Sequence, residues 1–95
     1  MYLITYDISS NRLRNKVAKK LLDYGKRVQY SVFECDIDKK RYTKLYGELS
    51  GLVASAENAN VRIYHLDHDE NERTVTIGDP GYVSVDSQWD DLIIV

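Results

Sequence analysis

Residues 27–37, RVQYSVFECDI, decide how this chain divides into elements. They carry the β-branched and aromatic residues of extended chain, but the stretch is longer than the five or six residues of an ordinary strand. It is therefore predicted to form two short strands with a bend near Tyr30–Ser31.

The flanking sequence fits around that pair. Upstream, residues 2–8, YLITYDI, read as a strand, and any of Ser9, Ser10 and Asn11 could cap a following helix. From Arg12 to Tyr24 the apolar residues Leu13, Val17, Ala18, Leu21 and Leu22 recur at spacings of three and four, with basic residues filling much of the remainder. This predicts an amphipathic helix with a basic outer face, stopped by Gly25. Downstream, Asp38 is a suitable cap for a second helix, Lys39 to about Val53, whose Tyr42, Leu45, Tyr46, Leu49 and Leu52 mark one face. A polar turn at 57–60 leads into a fourth strand, VRIYHL, at 61–66. The order β-α-β-β-α-β predicts an α+β, ferredoxin-like core over residues 1–66, an antiparallel sheet with both helices on one face.

Residues 67–95 lie beyond that core: an acidic linker, Asp67 to Glu72, then strand-like pieces at Thr74–Ile77, Tyr82–Val85 and 92–95. Neither side of the first strand is properly polar, so the open sheet face is expected to be covered. The C-terminal segment is suited to cross to a second copy and add strands to its sheet, in a two-fold homodimer, or else to fold back on its own chain.

Composition narrows the class. Hydrophobic residues make up 43% and charged residues 29%, which excludes disorder, and no segment approaches the roughly 18 apolar residues of a spanning helix. With no secretory signal at the N-terminus, a cytoplasmic protein without membrane contact is expected. The single cysteine, Cys35, reads as a core residue, and His65 and His68 as a strand and a loop residue. Net charge is −2, but its distribution is polarised. Residues 12–44 hold eleven basic against four acidic residues, whereas residues 45–95 hold two against ten. The basic half is suited to meet phosphates.

Asp7 is the residue the first strand does not explain, since Asp is depleted in strands and rarely buried without a partner. It sits at the strand's mouth, pairs with a base or holds a metal. Capping the next helix and pairing with Arg14 are its structural alternatives.

Tyr6-Asp7 at the end of the first strand, LRNKVAKKLLDYG (Leu13 to Gly25) and RVQYSVFEC (Arg27 to Cys35) together resemble the small CRISPR-associated proteins of the Cas two family, over essentially the whole length. The resemblance implies a ferredoxin-like homodimer that takes part in spacer acquisition as a double-stranded DNA-binding adaptor for the Cas one integrase. Some members are described as metal-dependent nucleases of RNA or DNA. It implies that Asp7 is the catalytic and metal-binding acid, facing its twin across the dimer axis, with one Mg²⁺ or other divalent cation between the two carboxylates. Such a pair suits a hard cation that keeps several waters. Arg14, Lys16 and Arg27 match basic positions associated with nucleic acid, although Lys16 stands where an arginine is frequent and offers a point charge rather than a fork. Tyr6, Ser9 and Phe33 are supporting candidates, Phe33 either by stacking on a base or as a core residue. Ser9 and Ser10 stand where relatives often carry a second acid, which weakens the case for hydrolysis. The competing readings are a toxin-like endoribonuclease of the virulence-associated D type and a non-enzymatic regulatory module on the same fold.

Overall fold

The computed structural model describes residues 1–67 and 74–84. The elements are β1 (Tyr2–Ile8), α1 (Asn11–Leu22), β2 (Lys26–Gln29), β3 (Val32–Cys35), α2 (Lys39–Val53) and β4 (Ala59–His65), the expected β-α-β-β-α-β order. The strands form one sheet in the order β2-β3-β1-β4, with every neighbouring pair antiparallel. The long extended stretch does break in two, with Tyr30 and Ser31 between β2 and β3.

Local chemistry sets the helix ends. The Ser10 hydroxyl accepts the Leu13 N–H at 3.2 Å, and the Asp38 carboxylate accepts the Arg41 N–H at 2.8 Å, satisfying donors that the first helical turn leaves open. Gly25 serves α1 differently from a left-handed cap. Its N–H donates to the Leu21 carbonyl at 2.9 Å, but its requirement is space: a Cβ there would lie 2.2 Å from the Glu34 carbonyl oxygen and 2.6 Å from the Cys35 sulfur. Glycine lets the chain leave α1 and press against β3.

Alternation along β1 sends Ile4, Tyr6 and Ile8 to the helices, where they join Val17, Ala18 and Leu21 of α1, Phe33 and Cys35 of β3, and Leu45 and Leu49 of α2. Ala59, Val61 and Ile63 of β4 close the same layer. The other sheet face carries Leu3, Thr5 and Asp7, opposite Tyr64, Arg62 and Asn60 of β4. No helix covers it, and on β1, β3 and β4 its residues are polar apart from Leu3, Val32 and Tyr64, more so than β1 alone suggested. Burial pushes the Cys35 thiol up to about 11, which fits a core residue.

The helices pack through a polar seam. Lys20 bridges Glu48 at 3.0 Å, and the Tyr24 hydroxyl donates to the same carboxylate. The Arg41 guanidinium lies 4.8 Å over the Tyr24 ring and donates to the Asp23 carbonyl at 3.1 Å. At the far end of β1, Tyr2 stacks on Tyr42 with centroids 4.2 Å apart, and His65 meets both rings edge-on.

Thr74–Ile77 and Tyr82–Ser84, expected to add strands to a second copy's sheet or to fold back, form no strand within the single chain. A strand needs a neighbour to satisfy its N–H and C=O groups, and among the described residues these segments pair with no strand; the Tyr82 N–H instead donates to the Asp79 carbonyl at 3.2 Å, within a turn. They run alongside β2, bounding a groove of about 940 Å³ with Lys26, Arg27 and Gln29. The rest of the acidic linker and the terminal LIIV, with Val85, lie outside the described residues.

Candidate nucleic-acid interface and the Asp7 face

The predicted site residues do not converge. Asp7 is exposed on the open sheet face, paired in register with Asn60. The one ion pair among the described residues is Lys20–Glu48, so Asp7 is not tied to Arg14. Nor does it cap α1, a role taken by Ser10. Ser9 is exposed, and its N–H is held by the Asn58 carbonyl at 3.1 Å, where Asn58 takes a left-handed turn conformation with φ of 53°. That fixes the backbone just after Asp7. Among the described residues no group of three or more His, Cys, Asp or Glu side chains could hold a metal ion.

Arg14 and Arg27 are half-buried and turned into the fold. The Arg14 guanidinium donates to the Ile8 carbonyl at 2.7 Å and to the Asn11 side chain, so it ties the end of β1 to the first turn of α1. Arg27 lies 5.0 Å over the Phe33 ring and donates to the Tyr6 hydroxyl at 3.2 Å. A β-bulge between Arg27 and Gln29 allows this, since it pairs Arg27 with Phe33 and shifts the alternation afterwards. Tyr6 and Phe33 are 5% and 0% exposed, which removes both faces from solvent; Phe33 is a core ring and not a platform for a base. Of the three predicted phosphate-binding residues only Lys16 stands free on the surface.

The sequence reading counted the α2 lysines in the basic half but named none of them as a candidate phosphate contact. Lys39, Lys40 and Lys44 are exposed, as are Arg12, Lys16 and Lys19 on α1. The signal was legible in their four-residue spacings, Lys40 to Lys44 on α2 and Arg12 to Lys16 on α1, which put each pair on one side of its helix.

Similarity to known proteins runs through these same elements. Residues 1–74 match the family described as CRISPR associated protein Cas2. A Chloroflexus aurantiacus protein named CRISPR-associated endoribonuclease Cas2 1 is 45% identical over 78 residues, covering 82% of this chain and 84% of the relative. A Halalkalibacterium halodurans protein named CRISPR-associated endonuclease Cas2 is 42% identical over 84 residues, covering 82% and 85%. Among solved structures, Streptococcus pyogenes Cas2 superposes with a TM-score of 0.70 at 30% identity, over 81% of this chain and 98% of that one. A chain of a partial Cas6-RT-Cas1–Cas2 complex superposes with a TM-score of 0.68 at 33% identity, over 84% and 93%. With the family match spanning every element from β1 to β4, the chain belongs to the CRISPR-associated Cas2 family.

Proposed function

We propose that this protein acts in CRISPR spacer acquisition as a homodimeric, duplex-DNA-binding adaptor for the Cas1 integrase. The observation that carries the reading is the likeness to a chain from a Cas1–Cas2-containing complex over 84% of the sequence. Two copies meeting through their open sheet faces would cover Leu3, Val32 and Tyr64, which the helices leave half-buried or exposed. The test is integration of a short duplex into a repeat-bearing plasmid by the integrase of the same genome. Integration should require this protein, and equal integration without it would refute the adaptor role.

A second activity rests on Asp7 and on the nuclease names of the relatives. One chain brings a single carboxylate to the end of β1, beside the neutral Ser9 and Asn60. Two copies facing each other there would bring two, a donor set that fits one Mg²⁺ completed by water. When bound, the cation would acidify water and offset charge on a phosphate. Asp7→Asn keeps the shape and removes the charge, so cleavage of RNA or DNA by purified protein should fall to background, as it should in wild type with excess EDTA. Dimerisation and integration should persist, because holding DNA needs cationic surface rather than hydrolysis. Equal cleavage by wild type and variant would point to another active site or a contaminant.

A further inference from the structure

We propose that Arg62 of β4 binds the phosphodiester of a nucleic acid at the Asp7 face, as the cation that lets a negatively charged substrate settle beside that carboxylate. The proposal rests on the Asp7 reading above and adds to it a residue outside the stretches that carry the sequence resemblance.

Register places the two side chains together. β1 and β4 pair with Thr5 opposite Arg62 and Asp7 opposite Asn60. Residues directly opposite point the same way and facing alternates along each strand, so all four share the open face of the sheet. Arg62 is the diagonal neighbour of Asp7, with β-carbons about 7–8 Å apart in such a pairing, a span that a long side chain crosses. Both residues are exposed, and the one ion pair among the described residues is Lys20–Glu48, so they do not neutralise each other. A phosphate held between them is in reach of the guanidinium on one side and of a cation at the carboxylate on the other.

The other charges on this face lie elsewhere. Lys26 sits directly opposite Glu34, at the end of the sheet where Glu34 also meets Leu3, so that cation is matched by an acid. Arg27, next on β2, lies over Phe33 and reaches Tyr6, both of which face the helices. Among the described residues Arg62 is therefore the one arginine that a strand presents on the Asp7 face. A phosphodiester brings a negative charge next to a carboxylate, and the two repel unless a positive group offsets them. The flat guanidinium fork fits two oxygens of one phosphate. Since β4 is the outer strand of the sheet, Arg62 stands at the rim of the face, where a nucleic-acid strand passes without crossing its middle. A charge on an edge strand can also serve only to discourage pairing with other sheets, a role lysine fills as well as arginine.

The test is fluorescence anisotropy with a labelled RNA oligonucleotide and a labelled DNA duplex, with Ca²⁺ in place of Mg²⁺ and the probes recovered intact. Arg62→Gln should weaken binding of the nucleic acid that wild type cleaves by roughly tenfold or more, and lower kcat/KM for its cleavage at least as much. Arg62→Lys should recover only part of the loss, because it keeps the charge without the fork. A loss in one arm alone supports the proposal and names the phosphodiester, RNA or DNA, that the site takes. Binding of Mn²⁺ alone, followed by electron paramagnetic resonance, should be at least as tight in Arg62→Gln as in wild type, since a neighbouring positive charge has been removed. Melting temperature and dimerisation should stay at wild-type values. Unchanged affinity for both probes in Arg62→Gln would overturn the proposal, as would full recovery in Arg62→Lys, weaker Mn²⁺ binding or loss of the dimer, each of which assigns Arg62 to structure or bulk charge. Equal cleavage by wild type and Asp7→Asn would instead overturn the Asp7 reading itself, whereas cleavage lost in Asp7→Asn with binding intact in Arg62→Gln overturns the role of Arg62 alone.

Discussion

At the scale of single residues, the informative cases are basic side chains that serve the fold. Arg27 combines a cation–π contact with Phe33 and a hydrogen bond to Tyr6 in a half-buried position. Arg27→Ala should therefore cost about 1–3 kcal/mol, read as a lower urea midpoint with an unchanged slope. Arg27→Lys should recover only part of it, because an ammonium cannot lie flat on the ring while donating to a hydroxyl beside it. If both variants unfold like wild type, Arg27 is a surface charge after all. The sequence showed that Arg27 sits in a strand but not which way it points, because the bulge after it interrupts the period-two pattern from which facing is read. For Asp7 the side was legible, since alternation puts it on the face opposite Tyr6 and Ile8, but its exposure was not, because Leu3 on the same face did not mark that face as polar.

At the scale of elements, α1 and α2 are joined by Lys20, Tyr24 and Glu48, whose ionisation is coupled. Hydrogen bonds from Tyr24 and then Lys20 hold the Glu48 carboxyl below its usual range, while the bond to Glu48 raises both Lys20 and Tyr24. The stability Glu48 supplies is present above its unfolded value near pH 4.3 and disappears as pH falls through the lower folded value. The Lys20 and Tyr24 contributions are full below about pH 10 and are lost as pH rises through their raised values. Hence the midpoint difference between wild type and Glu48→Gln should be greatest between about pH 5 and pH 9 and shrink at both extremes. A pH-independent difference would mean that the seam is held by packing alone. The elements were largely legible because their signals are local: caps at Ser10 and Asp38, three-and-four spacing in both helices, and a turn inside residues 27–37. The seam was not, since nothing in the order of residues says that Lys20 will meet Glu48, twenty-eight positions away.

At the scale of the whole molecule, the core and the segment after it behave differently. Val75, Ile77 and Tyr82 are 80%, 96% and 70% exposed, an amount of apolar surface that a lone chain gains nothing by presenting. Their alternation promised strands, but a strand is a property of two edges, and the second edge belongs to no part of the described chain. A variant ending at Glu72 should keep the far-UV spectrum of the core and lose dimerisation by light scattering; a stable dimer of that variant would show that the sheet faces suffice.

The hydrogen bond from the Leu66 N–H to the Met1 carbonyl, 2.9 Å long, has a consequence for how the fold is reached. It brings residues 1 and 66 side by side, because β4 closes on β1, a central strand, along seven register pairs from Tyr2–His65 to Ile8–Ala59. The first strand thus waits for the last before one of its edges is satisfied. During synthesis, the ferredoxin-like unit cannot complete until residue 65 has left the ribosome, and loop-closure entropy must be met over nearly the whole core at once. The same adjacency makes residues 1 and 66 joinable by a short linker, with new ends opened at the Tyr30–Ser31 turn. Such a rearranged chain would make β1–β4 a local hairpin, and its refolding rate would report how far that late closure limits the natural order.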